Sequence, residues 1–425
     1  MYIFLVWLGL VLLGMPVFMS LGVVSVMYLI VNNMPLYIVA QRMFGALDSF
    51  ILLAVPFYVL VGELMNTGGI TRRLYRFVES FMGYVPGSLG HANVIGSMIF
   101  SGMSGSAVAD IGGLGKVEIE AMTKAGYDLK FSAGLTGASA VIGPIIPPSI
   151  PFIVYSALTG TSVGALFAGG FLPGILIGIA LMVTVMIYSV NRGYPRKKWN
   201  GWISVKEMLV SSIVAGPALV TPALILGGIF SGMFSPTEGS VVASAYALML
   251  GLCVYRDLSL GDIPTIVLTT LKNSGVVLLI FCTASLFAWI LSIERIPQAI
   301  GAVFLSVSRN PLIVLLLINL FLLLVGMFIE TLSAMIILVP FFFPVIQSLS
   351  VDPVHFGLVV TLNLMIGILT PPFGTGLFML QEVGRLSFEE ASKACLPWLW
   401  PLLIVLLLIT VFPEIVLYLP RVMGW

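Results

Sequence analysis

Charge is what this sequence has least of. Lys, Arg, Asp and Glu make up 9% of its 425 residues, against about 25% in soluble domains. With 59% hydrophobic residues the chain cannot give a soluble domain an adequate polar surface, and it reads as an integral membrane protein. A net charge of +1 leaves no electrostatic footprint for nucleic acid. Two histidines, His91 and His355, and three scattered cysteines, Cys253, Cys282 and Cys395, offer neither metal-ligand spacing nor a disulfide framework. The cysteines read as small packing residues. Polar–apolar alternation over strand-length segments is missing too, which excludes an outer-membrane barrel. Gly115-Lys116 lacks the opening Gly and closing Ser/Thr of a phosphate loop, because Asp110 and Val117 stand there. ATP hydrolysis is therefore not expected.

What the chain does have is glycine and proline inside apolar stretches. Between Ala133 and Pro173 it is apolar enough for lipid, yet carries Gly143, Pro144, Pro147, Pro148 and Pro151 near the middle. Proline removes a backbone donor and clashes with the preceding turn, so a helix here must break. Adding 224 to each number gives a second copy, with Gly367, Pro371 and Pro372 matching Gly143, Pro147 and Pro148. The same offset pairs Gly102 with Gly326, Gly160 with Gly384, and Leu172-Pro173 with Leu396-Pro397. Pro147-Pro148 and Pro371-Pro372 are the only Pro-Pro doublets in the chain. A broken membrane helix repeated in both halves is the sequence pointer to a secondary transporter's binding site.

Taken in order, Tyr2 to Val31 is expected as retained membrane structure, either one long bent helix or two short ones, since no basic n-region or small-x-small cleavage site precedes Asn32. An amphipathic linker, Pro35 to Asp48, suits the interface. A span from Ile51 to Met65 carries Glu63, read as an interfacial carboxylate, and a turn with Arg72, Arg73 and Arg76 follows. Gly87 to Gly115 is dominated by small residues, and legs of 12–15 residues reach only ~18–22 Å, short of a hydrocarbon core of about 30 Å. A re-entrant hairpin with its tip at Ser101–Ala107 is therefore expected, and a second at Pro311–Ser350 with its tip at Gly326–Ala334. Further spans are expected at Val163–Val190, Val210–Phe230, Gly239–Tyr255, Asn273–Ser292 and Pro397–Leu419. Ser235 in SPTEGS reads as a helix N-cap, with Glu238 in the first turn.

Arg192, Arg196, Lys197, Lys198 and Lys206 form the strongest basic cluster and so face the cytoplasm. Counting crossings from there places Arg72–Arg76 and Arg256 inside and opens the second hairpin outward, opposite to the first. The reading is an all-α membrane protein with two re-entrant hairpins and two broken helices in an inverted repeat. Val210–Phe230 is the unpaired connector. The expected division is 1–86 scaffold spans and linker, 87–173 first hairpin and broken helix, 174–310 scaffold and inter-repeat spans, 311–395 second hairpin and broken helix, and 396–425 a final span.

Broken helices place opposed helix ends at membrane depth, where free amides suit a carboxylate and unwound carbonyls suit a cation. In the first half Ser104 and Ser106 would meet the Gly143–Ser149 break, with the carbonyls of Gly143, Pro144 and Ile145 as candidate sodium ligands. In the second, Glu330 and Thr331 would meet Gly367, Thr370, Gly374 and Thr375. Asp110 and Glu330 are the acids in the expected hairpins, and an ionisable group at that depth points to function; the competing reading for each is a paired structural carboxylate.

The stretches GMPVFMSLG (14–22), VPFYVLVGELMNTGGITRRL (55–74), SMIFSGMSGSAVAD (97–110), GYDLKFSAGLTGASAVIGPIIPPSIP (126–151), FSPTEGSVVA (234–243) and TPPFGTGLF (370–378) carry a resemblance over nearly the whole chain. It resembles the large membrane subunit of tripartite ATP-independent periplasmic transporters, departing at Gly239, where that family more often has Ala. The resemblance implies an ion-transporter-superfamily fold in which a mobile domain carrying both hairpins and both broken helices moves as an elevator. It implies a sodium gradient as driving force, sodium between each hairpin tip and its broken helix, and a bacterial inner-membrane location. The implied partners are a small membrane subunit and a soluble periplasmic binding protein that delivers the substrate. Four-carbon dicarboxylates, sialic acid, other sugar acids and keto acids are the implied substrates; the resemblance does not assign the residues that hold their carboxylate, and the tips and breaks themselves offer Ser106, Ser149, Gly105, Pro148, Gly374 and Thr375.

Three other readings compete. A single-component sodium–dicarboxylate symporter would share the fold and need no partner. An intramembrane enzyme would use Asp110 and Glu330 for acid–base chemistry, although carboxylates in equivalent regions of opposed repeats suit ion coupling better. A channel leaves the opposed broken helices without an alternating gate.

Overall fold

The structure is a computed structural model that describes residues 6–425 except 8, 12 and 195–200, with backbone alone at 202 and 203. Arg196, Lys197 and Lys198 lie outside the described residues, as does the start of the first expected span. Among the described residues every regular element is helical, and seven helices are long and apolar enough to cross a membrane. The N-terminal span is not one continuous helix: it is interrupted at residues 13–16 and resumes as α1 (Val17–Val31) beyond Pro16. Next come the linker helix α2 (Tyr37–Leu47), none of whose residues is buried, and α3 (Ala54–Thr67).

Arg72, Arg73 and Arg76 sit on a helix, α4 (Ile70–Met82), and the turn is confined to Gly68-Gly69. Ile70, Leu74, Tyr75 and Val78 form its buried stripe at helical spacing, and Gly69 takes φ 65° to start it.

The first hairpin descends along α5 (Ser88–Ser104), turns at Gly105-Ser106, and returns through α6 (Ala107–Asp110), a π turn (Ile111–Gly115) and α7 (Lys116–Lys124). Its legs are longer than the sequence suggests. The glycines at 112, 113 and 115 widen the helix into the π turn rather than ending it.

The first broken helix follows as α8 (Leu129–Ala140) and α9 (Ile150–Thr159), with α10 (Val163–Arg192) beyond it. The connector is α11 (Trp202–Phe230). Then come α12 (Pro236–Met249), opened by a Ser235/Glu238 capping box, and α13 (Ile263–Ile293) and α14 (Ile296–Val307). The second hairpin is α15 (Pro311–Gly326) and α16 (Thr331–Ser348); the second broken helix is α17 (Pro353–Gly367) and α18 (Thr375–Gly384). The last span is α19 (Phe388–Val411), begun early by a Ser387/Glu390 capping box. It stops at Phe412-Pro413, so the expected span to Leu419 is instead divided between α19 and a separate short helix, α20 (Glu414–Val422).

Shifted by 224, α5 overlies α15, α6–α7 overlie α16, and α8, α9 and α10 overlie α17, α18 and α19. The pairing extends outward, with α1 onto α12, α4 onto α14, and α2–α3 onto the single helix α13; among the long spans α11 has no counterpart. The halves interlock, since α8 packs on α19, α9 packs on α16, and α10 packs on both α18's follower α19 and α20. Gly134 lets α8 approach closely, because a Cβ there would stand 2.1 Å from the Ala394 carbonyl.

Candidate functional site

Each hairpin tip meets its own broken helix through backbone. Gly105, at φ 59°, has room for no side chain, since a Cβ would lie 2.5 Å from the Pro148 carbonyl. Its own carbonyl accepts from the Ile150 amide at 3.4 Å. In the second half the close approach is at Gly367, where a Cβ would lie 2.7 Å from the Gly326 backbone. The Pro147-Pro148 and Pro371-Pro372 bonds are both cis.

In the first half the Ser104 hydroxyl donates to the Asp110 carboxylate. Oδ2 of Asp110 has no partner among the described residues and faces Gly143, where a Cβ would lie 2.6 Å away. Ser104, Asp110 and Gly143 are thus gathered into one buried contact. The Pro144 carbonyl accepts from the Ser149 hydroxyl at 2.5 Å, and that hydroxyl also caps α9 at the Phe152 amide. The Ile145 carbonyl is directed elsewhere, against Gly170 of α10. Ser106 caps the return leg, accepting from the Ala109 amide at 3.4 Å.

Glu330 is the positional equivalent of Ser106 and has the same backbone task. Its carboxylate accepts from the Ser333 amide at 3.1 Å and the Ser333 hydroxyl at 3.3 Å. Thr331 donates to the Leu364 carbonyl of α17 at 3.4 Å, and Thr370 donates to Ile366. Gly367 offers its carbonyl to the Thr370 amide. Gly374 packs against the Ile368 carbonyl, and the neighbouring Thr375 hydroxyl is buried with no partner among the described residues.

The two halves converge. One cavity of about 50 Å³ is lined by Gly105, Ser106 and Pro144 from the first half and Glu330, Thr331 and Thr375 from the second, with Ala107, Val108, Ile150, Pro151, Leu332, Met365 and Ile368 as its apolar wall. A water needs at least about 10–15 Å³ of such space, so the cavity takes only a few waters and falls well short of the ~300 Å³ and more of small-molecule pockets. Asp110, Gly143, Ile145, Pro148, Ser149, Gly367, Thr370 and Gly374 lie outside its lining.

A second buried acid beside Asp110 escapes the sequence reading, which ends the hairpin at Gly115. Glu118 on α7 is 1% exposed and accepts from Asn93 at 2.7 Å. Asn93 also donates to Thr136, and the Ser139 hydroxyl donates to Asn93. The second half joins Asn319 of α15, Asn363 of α17 and Thr410 of α19, a cluster with no acid. The helical register from Asp110 to Glu118 is the signal that could have found it.

Of the other residues singled out, His355 bonds the Ile409 carbonyl at 2.8 Å, Cys282 and Cys395 are buried, and Cys253 is exposed. No cluster of metal-ligating side chains occurs among the described residues. Glu63 accepts from Asn273 at 3.3 Å.

Comparison with known proteins gives a consistent family. Residues 4–415 match the family described as "Tripartite ATP-independent periplasmic transporter, DctM component". The chain is 48% identical to the sialic acid TRAP transporter large permease protein SiaM of Vibrio cholerae, over 98% of this chain and 97% of that protein. It is 43% identical to the sialic acid TRAP transporter permease protein SiaT of Haemophilus influenzae, over 99% of this chain and 68% of that one. Identity to the C4-dicarboxylate TRAP transporter large permease protein DctM of Pseudomonas aeruginosa is 38%, over 91% of this chain and 90% of that protein. The fold is also that of the YdaH transporter of Alcanivorax borkumensis, with a TM-score of 0.64 at 15% identity over 88% and 87% of the two chains.

Proposed function

Because the chain belongs to the DctM-component family of tripartite ATP-independent periplasmic transporters, multi-pass permeases of the bacterial inner membrane and not enzymes, we propose that it imports a carboxylate-bearing organic acid down a sodium gradient. The substrate reaches it from a soluble periplasmic binding protein, and a small membrane subunit stands beside its scaffold helices. Sialic acid is the first candidate, since relatives named for it are 48% and 43% identical, against 38% for a dicarboxylate relative.

The observation that carries this reading is the cavity shared by both tips and both breaks. Opposed helix ends at one point bring amides and hydroxyls to a carboxylate and carbonyls to a cation. Sodium belongs beside Asp110, Ser104 and Gly143 in the first half and at the Thr331–Thr370 contact in the second. Asp110 has an unpartnered oxygen, and such an acid at membrane depth calls for a counter-charge. Substrate belongs between Ser106 and Thr375.

The repeat at offset 224, with one unpaired connector, supports opposite orientation of the halves. The cavity is too small for an organic acid, so a hairpin must open or the unit 87–173 plus 311–395 must move against the scaffold before loading. That motion is the elevator step.

Uptake into proteoliposomes tests this reading. The permease and its small subunit are reconstituted, an inward sodium gradient is imposed, and labelled sialic acid, dicarboxylates and keto acids are offered with and without the binding protein. Uptake needing both sodium and the binding protein is expected. Equal uptake of free substrate without the binding protein overturns the tripartite reading in favour of a single-component symporter.

A further inference from the structure

We propose that Glu118 is a proton-binding site, separate from the site at the hairpin tips, that carries a neutral carboxyl between the first hairpin and helix α4. The argument begins with which atoms surround it. Oε2 accepts from Asn93 at 2.7 Å, and behind Asn93 stands a chain of donors, Ser97 to Ser139 at 3.0 Å and Ser139 to Asn93 at 2.7 Å. The Ser139 hydroxyl and the Asn93 amide oxygen each already accept within that chain. Oε1 is buried and has no partner among the described residues. It lies beside Gly96, where a Cβ would stand 3.4 Å from it and 3.9 Å from the Tyr75 ring edge. Tyr75 comes from α4, is 3% exposed, and has an equally unpartnered hydroxyl.

Tyr75 brings its own hydroxyl hydrogen but makes no bond to Glu118, so Oε1 is a buried carboxylate oxygen with no donor among the described residues. A hard cation replaces its water shell with about six oxygen ligands, and a single free carboxylate oxygen with one tyrosine hydroxyl falls far short. A proton needs one oxygen. The surroundings also lack compensating charge. On its own leg the charged neighbour acting on Glu118 is Asp110, which carries the same sign. Helix α4 presents Tyr75 and, one turn on, Glu79; α5 and α8 present neutral Asn93, Ser97, Thr136 and Ser139. An ionised Glu118 would be a buried anion with only the neutral donors Asn93 and Thr136 and no cation; protonation removes that uncompensated charge.

The place is distinct from the tip. Asp110 bonds Ser104 and faces Gly143, while Glu118 bonds Asn93, and the π turn Ile111–Gly115 separates them. That π turn touches α4, so any stroke of the hairpin against α4 changes what surrounds the carboxyl.

The test uses the purified permease with its small subunit and reads infrared absorption, independent of any substrate. The carbonyl stretch of a neutral carboxylic acid is expected at neutral pH in the wild type, is lost in Glu118→Gln, and disappears on alkaline titration. If Glu118→Gln does not fold, Glu118→Asp must shift the same band. A spectrum unchanged by either variant, or carboxylate bands at Glu118 that move with sodium instead of pH, overturns the proposal. In vesicles, Glu118→Gln keeps neutral-pH uptake within about twofold, because a neutral amide replaces a neutral acid, and flattens the alkaline decline of the wild type. A decline identical in both proteins also overturns it.

Discussion

The two halves share a backbone and differ in chemistry. In the first, residues 141–150 are buried throughout. α10 seals them, with Gly170 under the Ile145 carbonyl and Gly174 under the Ile146 side chain, and Pro222 of α11 covers Gly102. In the second, Pro372 and Phe373 are exposed, and Phe373 pairs with Phe328 at 5.6 Å, each 54% exposed. Position by position, Ser104 and Ser149 become Phe328 and Phe373, Asp110 becomes Ala334, and Glu118 becomes Phe342. The glycines under the seal, Gly170 and Gly174, become Ala394 and Trp398. A duplicated template therefore fixes where helices break, while side chains decide which half holds buried acids and which presents rings outward.

The strongest way to break this asymmetry is Asp110→Asn. If the first half's acid holds the cation, sodium-driven uptake should fall on the order of 100-fold, the upper range for a lost metal-site contact. The reciprocal Ala334→Asp should rescue nothing. Unchanged sodium dependence in Asp110→Asn would remove the acid from the coupling.

A sharper comparison puts alanine at equivalent glycines. Gly367 abuts backbone that cannot yield, so Gly367→Ala should lower thermal stability by about 1–3 kcal/mol. Gly143 abuts the Asp110 carboxylate, so Gly143→Ala should spare the melting temperature more and cost uptake. Equal melting losses would erase the distinction.

The caps come next. Ser106→Ala and Glu330→Ala each remove an N-cap acceptor, worth about 1 kcal/mol. Glu330→Gln keeps the acceptor and drops the charge, so stability should hold, and any loss of uptake reports the charge alone. The smallest effect belongs to the exposed ring pair. A double-mutant cycle of Phe328→Ala and Phe373→Ala should show coupling of about 0.5–1.5 kcal/mol with little change in uptake.

Much of this was legible from spacing. Two Pro-Pro doublets reveal the 224-residue shift, and that shift carries through to nearly every helix, because proline and glycine act on the backbone whatever their neighbours. Glu118 was hidden by Gly112, Gly113 and Gly115, which read as a helix end but form a π turn through which the leg continues. Arg72, Arg73 and Arg76 masked α4, because their polarity drowns the stripe of Ile70, Leu74, Tyr75 and Val78. The start of α19 was written in Ser387 and Glu390, three residues apart, although the nearer hydrophobic run drew attention to Pro397. The convergence of the two tips on one cavity was not legible, since it depends on how the halves interlock through α8 on α19 and α9 on α16.

A central cavity of about 50 Å³ also sets the electrical character of the molecule. So small a space takes only a few waters, and residues 141–150 of the first break are all buried. If uptake is sodium-driven as proposed, charge crosses with each transport cycle and not through a standing pore. Its current should scale with turnover and should show no open-channel noise.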